Sequence, residues 1–140
     1  MSTIFTKIIE GEIPGTFVWR NDLCVAFMSI NPLRDGHVLV VPRAEIDHWL
    51  DCPSDLRDEL MEVSQTIGRA IQKVHDPARV GLMIAGLEVP HLHIHVVPID
   101  GIHDLDFANA AVSVDRDHLE EQAEAIRNAL MTMGVDGVAG

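Results

Sequence analysis

Three histidines alternate with apolar residues in the segment His91-Leu92-His93-Ile94-His95. Alternate residues of a β-strand point to opposite faces of a sheet, so a strand here places the three imidazoles on one face, about 6.6 Å apart. Imidazole is a metal ligand, a nucleophile near neutral pH, and a proton carrier. The spacing therefore admits three interpretations: a metal site, nucleophilic catalysis, or the exposed polar face of an edge strand.

The metal interpretation has little further support in the sequence. The chain contains two cysteines, Cys24 and Cys52, and neither a CxxC pair nor an HExxH segment accompanies the histidines. Nucleophilic attack at phosphorus requires no additional ligand. A neutral imidazole forms a phosphoramidate that water then cleaves, while neighbouring imidazoles stabilise the developing charge. On the residues alone, all three interpretations remain open.

The composition limits the classes of function. The 140 residues, 47% hydrophobic and 23% charged, predict one globular domain spanning 1–140. A net charge of −12 disfavours nucleic-acid binding, because a phosphodiester backbone is repelled by that field. The sequence has neither the apolar core of a signal peptide nor a membrane-spanning run of about 18 apolar residues. Two isolated cysteines suit a reducing compartment, so a cytoplasmic protein with no membrane association is expected.

The elements that must position the histidines follow from periodicity and turn residues. Ser54 is predicted to cap a helix that runs to about His75 and has apolar residues at steps of three and four. A second helix, at about 117–133, begins with a capping box of Asp117 and Glu120 and ends at Gly134. The tail after it, 135–140, is expected to fray. Strands are predicted at 16–20, 23–28, 37–42, 80–85 and 91–97. Clustered strands joined by short turns indicate an α+β fold with an antiparallel sheet.

The segment 91–97 resembles the His-Φ-His-Φ-His-Φ-Φ signature of the histidine triad (HIT) superfamily, where Φ is apolar. The similarity extends over about 3–98, the core motif region of the domain. It includes the opening segment 3–9, Asn31-Pro32, the block 36–42, and Gly86 before the triad. The chain is most similar to the Hint-like bacterial members. The resemblance implies a HIT-like fold, with a five-stranded antiparallel sheet and two main helices. It also implies a homodimer whose sheet is continuous across both subunits.

The resemblance also implies an activity. Such proteins are nucleotide-binding hydrolases or transferases that act on the α-phosphate of AMP derivatives, such as phosphoramidates and adenylates, through a nucleotidyl-histidine intermediate. His93 matches the nucleophile and His95 the histidine that contacts the phosphate. His91 and His37 match positions that support the nucleophile and the proton path. No metal or cofactor is implied. A dinucleoside polyphosphate hydrolase and a catalytically slow nucleotide-binding scaffold are the alternatives.

The implied ligand is a purine nucleotide. Its base would lie against apolar residues that core packing explains equally well, and Gly86 would approach the phosphate. The apolar set comprises Ile4, Phe5, Ile8, Phe27 and Ile30. Ser29 stands where the family often has an aspartate that holds the ribose, so weaker contact with the sugar is expected.

Other positions also depart from the family pattern. Leu87 and Glu88 replace residues of the phosphate loop that are small or polar in relatives, which leaves the substrate, the leaving group and the turnover rate open. Some relatives bind zinc through cysteines near the N-terminus. Thr3 and Thr6 stand at those positions here, so that zinc site is not expected.

Overall fold

A computed structural model, which describes residues 2–139, contains one antiparallel sheet of five strands in the order β1-β2-β3-β5-β4. The predicted sheet is therefore confirmed. Its strands are Phe17–Arg20 (β1), Cys24–Met28 (β2), Val38–Pro42 (β3), Arg79–Met83 (β4) and Ile94–Ile99 (β5). The helices are Ile4–Ile9 (α1), Ser54–His75 (α2) and Arg116–Thr132 (α3). Short 3-10 turns lie at Trp49–Asp51, Ile102–Leu105 and Phe107–Asn109.

The central strands are buried on both faces, which explains their nearly continuous apolar sequence. In β2, Ala26 and Met28 belong to the core beneath α2 and α3, whereas Val25 and Phe27 belong to the core on the α1 side. Strand β3 alternates in the same way. The sheet thus separates a large core from a smaller one that is only partly covered, and the histidines lie on the smaller side.

Helices α2 and α3 cover the other face of the sheet. Helix α2 ends at His75 as predicted, but Ser54 is its first residue and not its cap, because Pro53 holds the N-cap position and makes no side-chain hydrogen bond. Helix α3 begins one residue before its predicted start. The predicted capping box is wrong. Asp115 precedes α3 without a side-chain cap, and Glu120 instead accepts a hydrogen bond from the Arg127 guanidinium at 2.6 Å. Within residues 2–139, no helix is both long and apolar enough to span a bilayer.

The C-terminal tail is docked, so the prediction of a frayed segment is wrong for the described residues. The Ala139 N–H donates to the Val18 carbonyl at 3.1 Å, and the Arg20 N–H donates to the Gly137 carbonyl at 2.8 Å. The tail therefore pairs with the outer edge of β1. Sequence reasoning missed this because glycine-rich ends rarely signal a strand. Gly140 lies outside the described residues.

The histidine strand is shorter at its start than predicted. Strand β5 begins at Ile94, because the His91 N–H donates to the Val89 carbonyl and the Leu92 N–H donates to the Ile46 carbonyl, at 2.8 and 2.6 Å. These two residues are held by loops instead of by the sheet. The alternation nevertheless holds, since Leu92 and Ile94 both face the α2/α3 core.

Gly36 forms the turn that leads the chain into β3. Its φ is +92°, and a Cβ atom there would lie 2.6 Å from the His75 ring. Both facts require glycine, because left-handed backbone strains other residues and the imidazole leaves no space. The next residue is His37, so this turn sets where the fourth histidine enters the sheet.

Candidate active site

Four histidines meet on the α1 side of the sheet. The ring centroids of His93 and His95 are 4.9 Å apart, and those of His37 and His95 are 5.2 Å apart. All four side chains, including that of His91, are buried. Buried imidazoles require hydrogen-bond partners, and those partners determine which nitrogen carries the proton.

His93 presents a free lone pair. Its Nδ1–H donates to the His91 carbonyl at 2.7 Å, because a carbonyl oxygen can only accept, and Nε2 is therefore unprotonated in the neutral ring. Phe5 packs edge-on against this imidazole at 4.9 Å. Burial lowers the pKa of His93, although the His91 carbonyl opposes that shift. The ring is consequently neutral near neutral pH, with an unprotonated nitrogen that could attack an electrophile.

His37 and His95 form a hydrogen-bonded relay in which only one order of donors and acceptors is possible. The Leu33 N–H donates to Nδ1 of His37 at 3.0 Å, so the proton of the neutral His37 ring is on Nε2. That nitrogen lies 2.9 Å from Nδ1 of His95 and donates to it. The proton of His95 must then be on Nε2. This chain makes His95 a hydrogen-bond donor at its remaining nitrogen.

Burial keeps both relay imidazoles neutral. Loss of solvation lowers the pKa of His37 to about 3, and the nearby His95 and His93 rings add to the shift. The same cause lowers the pKa of His95 to about 4, with His93 contributing. Protonating either ring would also break the relay. A second proton on His37 removes the acceptor for the Leu33 N–H, and a second proton on His95 removes the acceptor for the His37 Nε2–H.

His91 fastens the start of the chain to the sheet. Its Nε2–H donates to the Pro42 carbonyl at 2.8 Å, and its Nδ1 accepts from the Thr3 hydroxyl at 2.6 Å. Glu45 accepts from the Thr3 N–H at 3.0 Å and from the Thr6 hydroxyl at 2.6 Å. The two threonines thus position α1, and the His91 ring is fully enclosed.

The cluster leaves one lone pair available to an electrophile, on Nε2 of His93. Both nitrogens of His91 and of His37 are engaged, and His95 offers an N–H. Across residues 2–139, no group of three His, Cys, Asp or Glu side chains is arranged to share a metal ion. This donor set is suited to covalent attack with a hydrogen-bond donor beside it.

A cavity of about 490 Å³ opens in front of His93 and His95. Ile4 and Ile30 lie on its lining and are 49% and 60% exposed, so core packing does not explain these two residues. Of the residues predicted for the site, those lining this cavity are Ile4, Phe5, Ile8, Phe27, Ser29, Ile30, His37, His93 and His95. The remaining two lie elsewhere. His91 is behind the cavity, and Gly86 lines an adjoining space of about 220 Å³ that also touches His93.

Part of the cavity wall comes from segments that sequence reasoning missed. The turn after α1 contributes residues 13–16, and the chain beyond the triad contributes Phe107, Ala110, Ala111 and Arg116. The Phe107 ring lies 5.1 Å from the His95 ring. No periodicity marks these residues. The one available signal was an aromatic residue in a polar stretch, since the chain has only four phenylalanines.

Comparisons with known proteins agree with this geometry. A family model described as HIT domain matches residues 10–102. An uncharacterized HIT-like protein of Borreliella burgdorferi is 35% identical over 68% of this chain and 73% of its own length. An adenosine 5′-monophosphoramidase of Saccharomyces cerevisiae is 29% identical over 68% of this chain and 61% of its own. A zinc-bound histidine triad family protein from Mycobacterium smegmatis has a TM-score of 0.80, at 26% identity over 96% of both chains.

The buried histidines predict a loss of stability in mild acid. The unfolded state takes up protons near pH 6.5, whereas folded His37 and His95 do so only near pH 3 and 4. The unfolded state therefore binds more protons between these values, and the free energy of unfolding falls as pH falls. Each ring accounts for about 2 kcal/mol between about pH 7.5 and 5. Urea titrations at about pH 7.5 and pH 5 measure this change in the free energy of unfolding.

A matched pair of variants isolates the effect. Glutamine at position 37 can still accept from the Leu33 N–H, so His37→Gln should lose about 2 kcal/mol less than the native protein on acidification. His103→Gln, which replaces an exposed histidine, should behave as the native protein does. An unchanged acid loss in His37→Gln would show that His37 is not held neutral.

Proposed function

Because the chain belongs to the HIT domain family, we propose that it is a nucleotide-binding hydrolase of AMP derivatives that works through a nucleotidyl-histidine on His93. The observation that carries this proposal is the single free imidazole lone pair, on Nε2 of His93, at an apolar cavity. The resemblance to a yeast adenosine 5′-monophosphoramidase supports an amide of AMP as the substrate class.

The cavity suits a purine with its sugar and one phosphate. Phe27 and Phe5 contact each other at 5.5 Å between centroids and give the base an aromatic wall. Ile4, Ile8 and Ile30 complete the apolar lining. Burying a flat base among these side chains provides the main favourable term, since binding sites of this kind are mostly apolar with few polar contacts.

The first chemical step is attack by Nε2 of His93 on the α-phosphorus. The N–P bond forms, the bond to the leaving amine breaks, and the amine keeps the electron pair and takes a proton from solvent. The His93 ring becomes cationic, and the His91 carbonyl then accepts a stronger, charge-assisted hydrogen bond from Nδ1–H. The His95 N–H donates to a phosphoryl oxygen as negative charge develops there.

Water completes the cycle. It attacks the phosphorus, the P–N bond breaks, and the electron pair returns to Nε2 of His93. AMP leaves with the new P–O bond, and one proton of the water passes to solvent. The same His95 donor serves both steps, because both transition states carry charge on the same phosphoryl oxygens. His37 acts through His95 by holding it in the donor tautomer.

Metal-dependent hydrolysis is the alternative that the zinc-bound relative brings forward. The residues of this chain do not suit it. A zinc ion needs three or four unprotonated ligand atoms directed at one point. In the cluster, His91 and His37 are already hydrogen-bonded at both nitrogens, and Thr3 and Thr6 hold Glu45 and His91. No step of the proposed reaction requires a metal.

Replacing His93 tests the covalent route. His93→Ala should lower turnover of an AMP amide by about 10⁴-fold or more, because no other group replaces the nucleophile. AMP binding should survive, since the apolar cavity remains. Native enzyme denatured in alkali during turnover should show an adenylyl mass increase on the peptide that contains His93, because an N-linked phosphoramidate is labile in acid and stable in base.

His103→Ala is the matched control, because it removes an exposed histidine outside the cavity lining. It should retain native turnover, and a chelator should leave the native rate unchanged. Near-native activity of His93→Ala, or loss of native activity with the chelator, would refute the mechanism. AMP binding without any turnover would instead favour the nucleotide-binding scaffold.

Glu88 favours a neutral or cationic leaving group. Its exposed carboxylate lies on the cavity lining. Its charge opposes the lowering of the pKa of His93, so it acts on the part of the cavity where the phosphate would react. A polyphosphate leaving group would bring several negative charges toward it. Leu87, which precedes it, is exposed and offers no polar contact to compensate. This supports an AMP amide over a dinucleoside polyphosphate.

The preference predicts the behaviour of Glu88→Gln. We expect native enzyme to prefer an AMP amide over a diadenosine polyphosphate by kcat/KM. Removing the charge should lower that ratio about tenfold, near 1.4 kcal/mol for a screened charge interaction. Glu121→Gln, an exposed site on α3, is the control for net charge and should leave the ratio unchanged. A native preference for the polyphosphate would make the dinucleoside hydrolase the better assignment.

We further propose a homodimer that forms through β4. This strand pairs only with β5 within residues 2–139, and its other side borders an open groove of about 980 Å³ beside α2. Met61 and Leu82 line the groove and are 50% and 42% exposed. Unpaired strand edges with apolar neighbours favour pairing with a second copy, which would extend the sheet across both subunits.

Sedimentation measures the proposed assembly directly. The native protein should sediment at about twice the chain mass of 15.4 kDa at micromolar concentration. Leu82→Glu places a charge in the groove and should yield the single chain. Met131→Glu, at an exposed apolar site outside the groove, should remain paired. A native protein that sediments only as the single chain contradicts the proposal.

A cytoplasmic location completes the proposal. Cys24 and Cys52 are unpaired, and burial raises the pKa of the Cys24 thiol to about 12, so this thiol is unreactive. Unpaired thiols are typical of a reducing compartment.

The net charge of −12 favours a small ligand over a nucleic acid as the partner.

A further inference from the structure

A guanidinium group lies at the edge of the nucleotide cavity, outside the region that the family model matches. Arg116 is the first residue of α3, is exposed, and is the one lysine or arginine among residues 2–139 that lines this cavity. Within the same residues, its side chain takes part in no hydrogen bond or ion pair. It is therefore available to a ligand.

Two sets of contacts hold the backbone on either side of Arg116. The Asn31 amide donates to the carbonyls of Ala111 and Val112, at 3.1 and 2.8 Å. The His118 ring lies 3.0 Å from the Asp35 carboxylate, which raises the pKa of His118. The chain on both sides of Arg116 is thus held against residues 31–35, which directly follow Ser29 and Ile30.

The same end of the cavity presents a neutral polar side chain. Ser29 is buried on the cavity lining, and its hydroxyl accepts from the Asn31 N–H at 3.3 Å. Within residues 2–139, Glu88 is the one carboxylate on the lining, and it acts on His93. The lining at this end therefore combines a hydroxyl with a guanidinium and, among the described residues, includes no carboxylate beside them.

In other nucleotide sites, the choice between a carboxylate and an arginine beside the sugar decides whether a free ribose or a ribose phosphate binds. A carboxylate that accepts from ribose hydroxyls repels a phosphate at that position, whereas a nearby arginine accommodates it. We propose that this cavity accepts nucleotides with a phosphate monoester on the 2′ or 3′ oxygen of the ribose, and that Arg116 binds that phosphate. The inference rests on the proposed function, because it assumes that the base and the reacting phosphate lie as described above.

Arginine is well suited to this contact. Its planar fork donates two parallel hydrogen bonds to a phosphate, and a position at the rim leaves the remaining phosphate oxygens in water. Asp115 and Asp117 flank Arg116 along the chain, so the three residues together carry a net charge of −1 and the long-range field does not favour an anion here. Discrimination should consequently come from direct contact with the guanidinium.

Equilibrium binding tests the inference without depending on turnover. Calorimetry on the full chain compares AMP, adenosine 2′,5′-bisphosphate and adenosine 3′,5′-bisphosphate. We expect one bisphosphate to bind about tenfold more tightly than AMP, and the preferred isomer identifies the oxygen. In Arg116→Gln the ratio should fall to about one, whereas Arg57→Gln, an exposed arginine on α2, should keep the native ratio. Ser29→Asp should also lower the ratio, by repelling the added phosphate.

The outcomes separate the two proposals. If AMP binds and neither bisphosphate binds more tightly, the ribose-phosphate inference is wrong and the proposed function stands. A tenfold preference that survives Arg116→Gln overturns the role given to Arg116. Failure of all three nucleotides to bind native protein overturns the proposed function, and this inference with it.

Discussion

A main-chain N–H can only donate a hydrogen bond, and this constraint at Leu33 determines the protonation of His37 and His95. Because the Leu33 N–H occupies Nδ1 of His37, the proton positions of His37 and His95 follow without choice. A second main-chain group, the His91 carbonyl, fixes the opposite tautomer on His93. Backbone geometry therefore distinguishes an acceptor from a donor among chemically identical side chains, and the proposed attack on phosphorus would use that difference.

The sheet makes that backbone rigid enough to serve this purpose. Strands β2 and β3 are buried on both faces, and the turn at Gly36 introduces His37 at a fixed point between them. His91 joins the end of β3 to α1 through Thr3, so the helix that lines the cavity is held by the same set of histidines. The contacts that fold this part of the chain thus also form the site. Their hydrogen bonds offset the desolvation cost of burying the four imidazoles.

Most of the architecture could be predicted from the sequence, and the exceptions have physical causes. Helix α2 can be predicted to within about one residue because its apolar stripe, from Leu56 to Val74, is unbroken for about five turns. The alternation around His93 located the triad, but the loss of ladder pairing before Ile94 depends on the Ile46 carbonyl, a distant loop group. The docked tail and the wall formed by Phe107 and Arg116 depend on long-range contacts that leave no periodic trace. The tautomers of the histidines could not be predicted from the sequence either, because they depend on the Leu33 N–H and on the His91 carbonyl.

The docked tail has a consequence for how copies of this chain can associate. A sheet with two open edges can add chains at both ends and grow into a fibre. Here residues 137–139 occupy the outer edge of β1, which leaves β4 as the open edge among the described residues. In the proposed dimer, a twofold contact between two β4 edges would use the open edge of each subunit and give a closed assembly. Residues 137–139 would then prevent further strands from adding at β1, so that the sheet could not grow into a fibre.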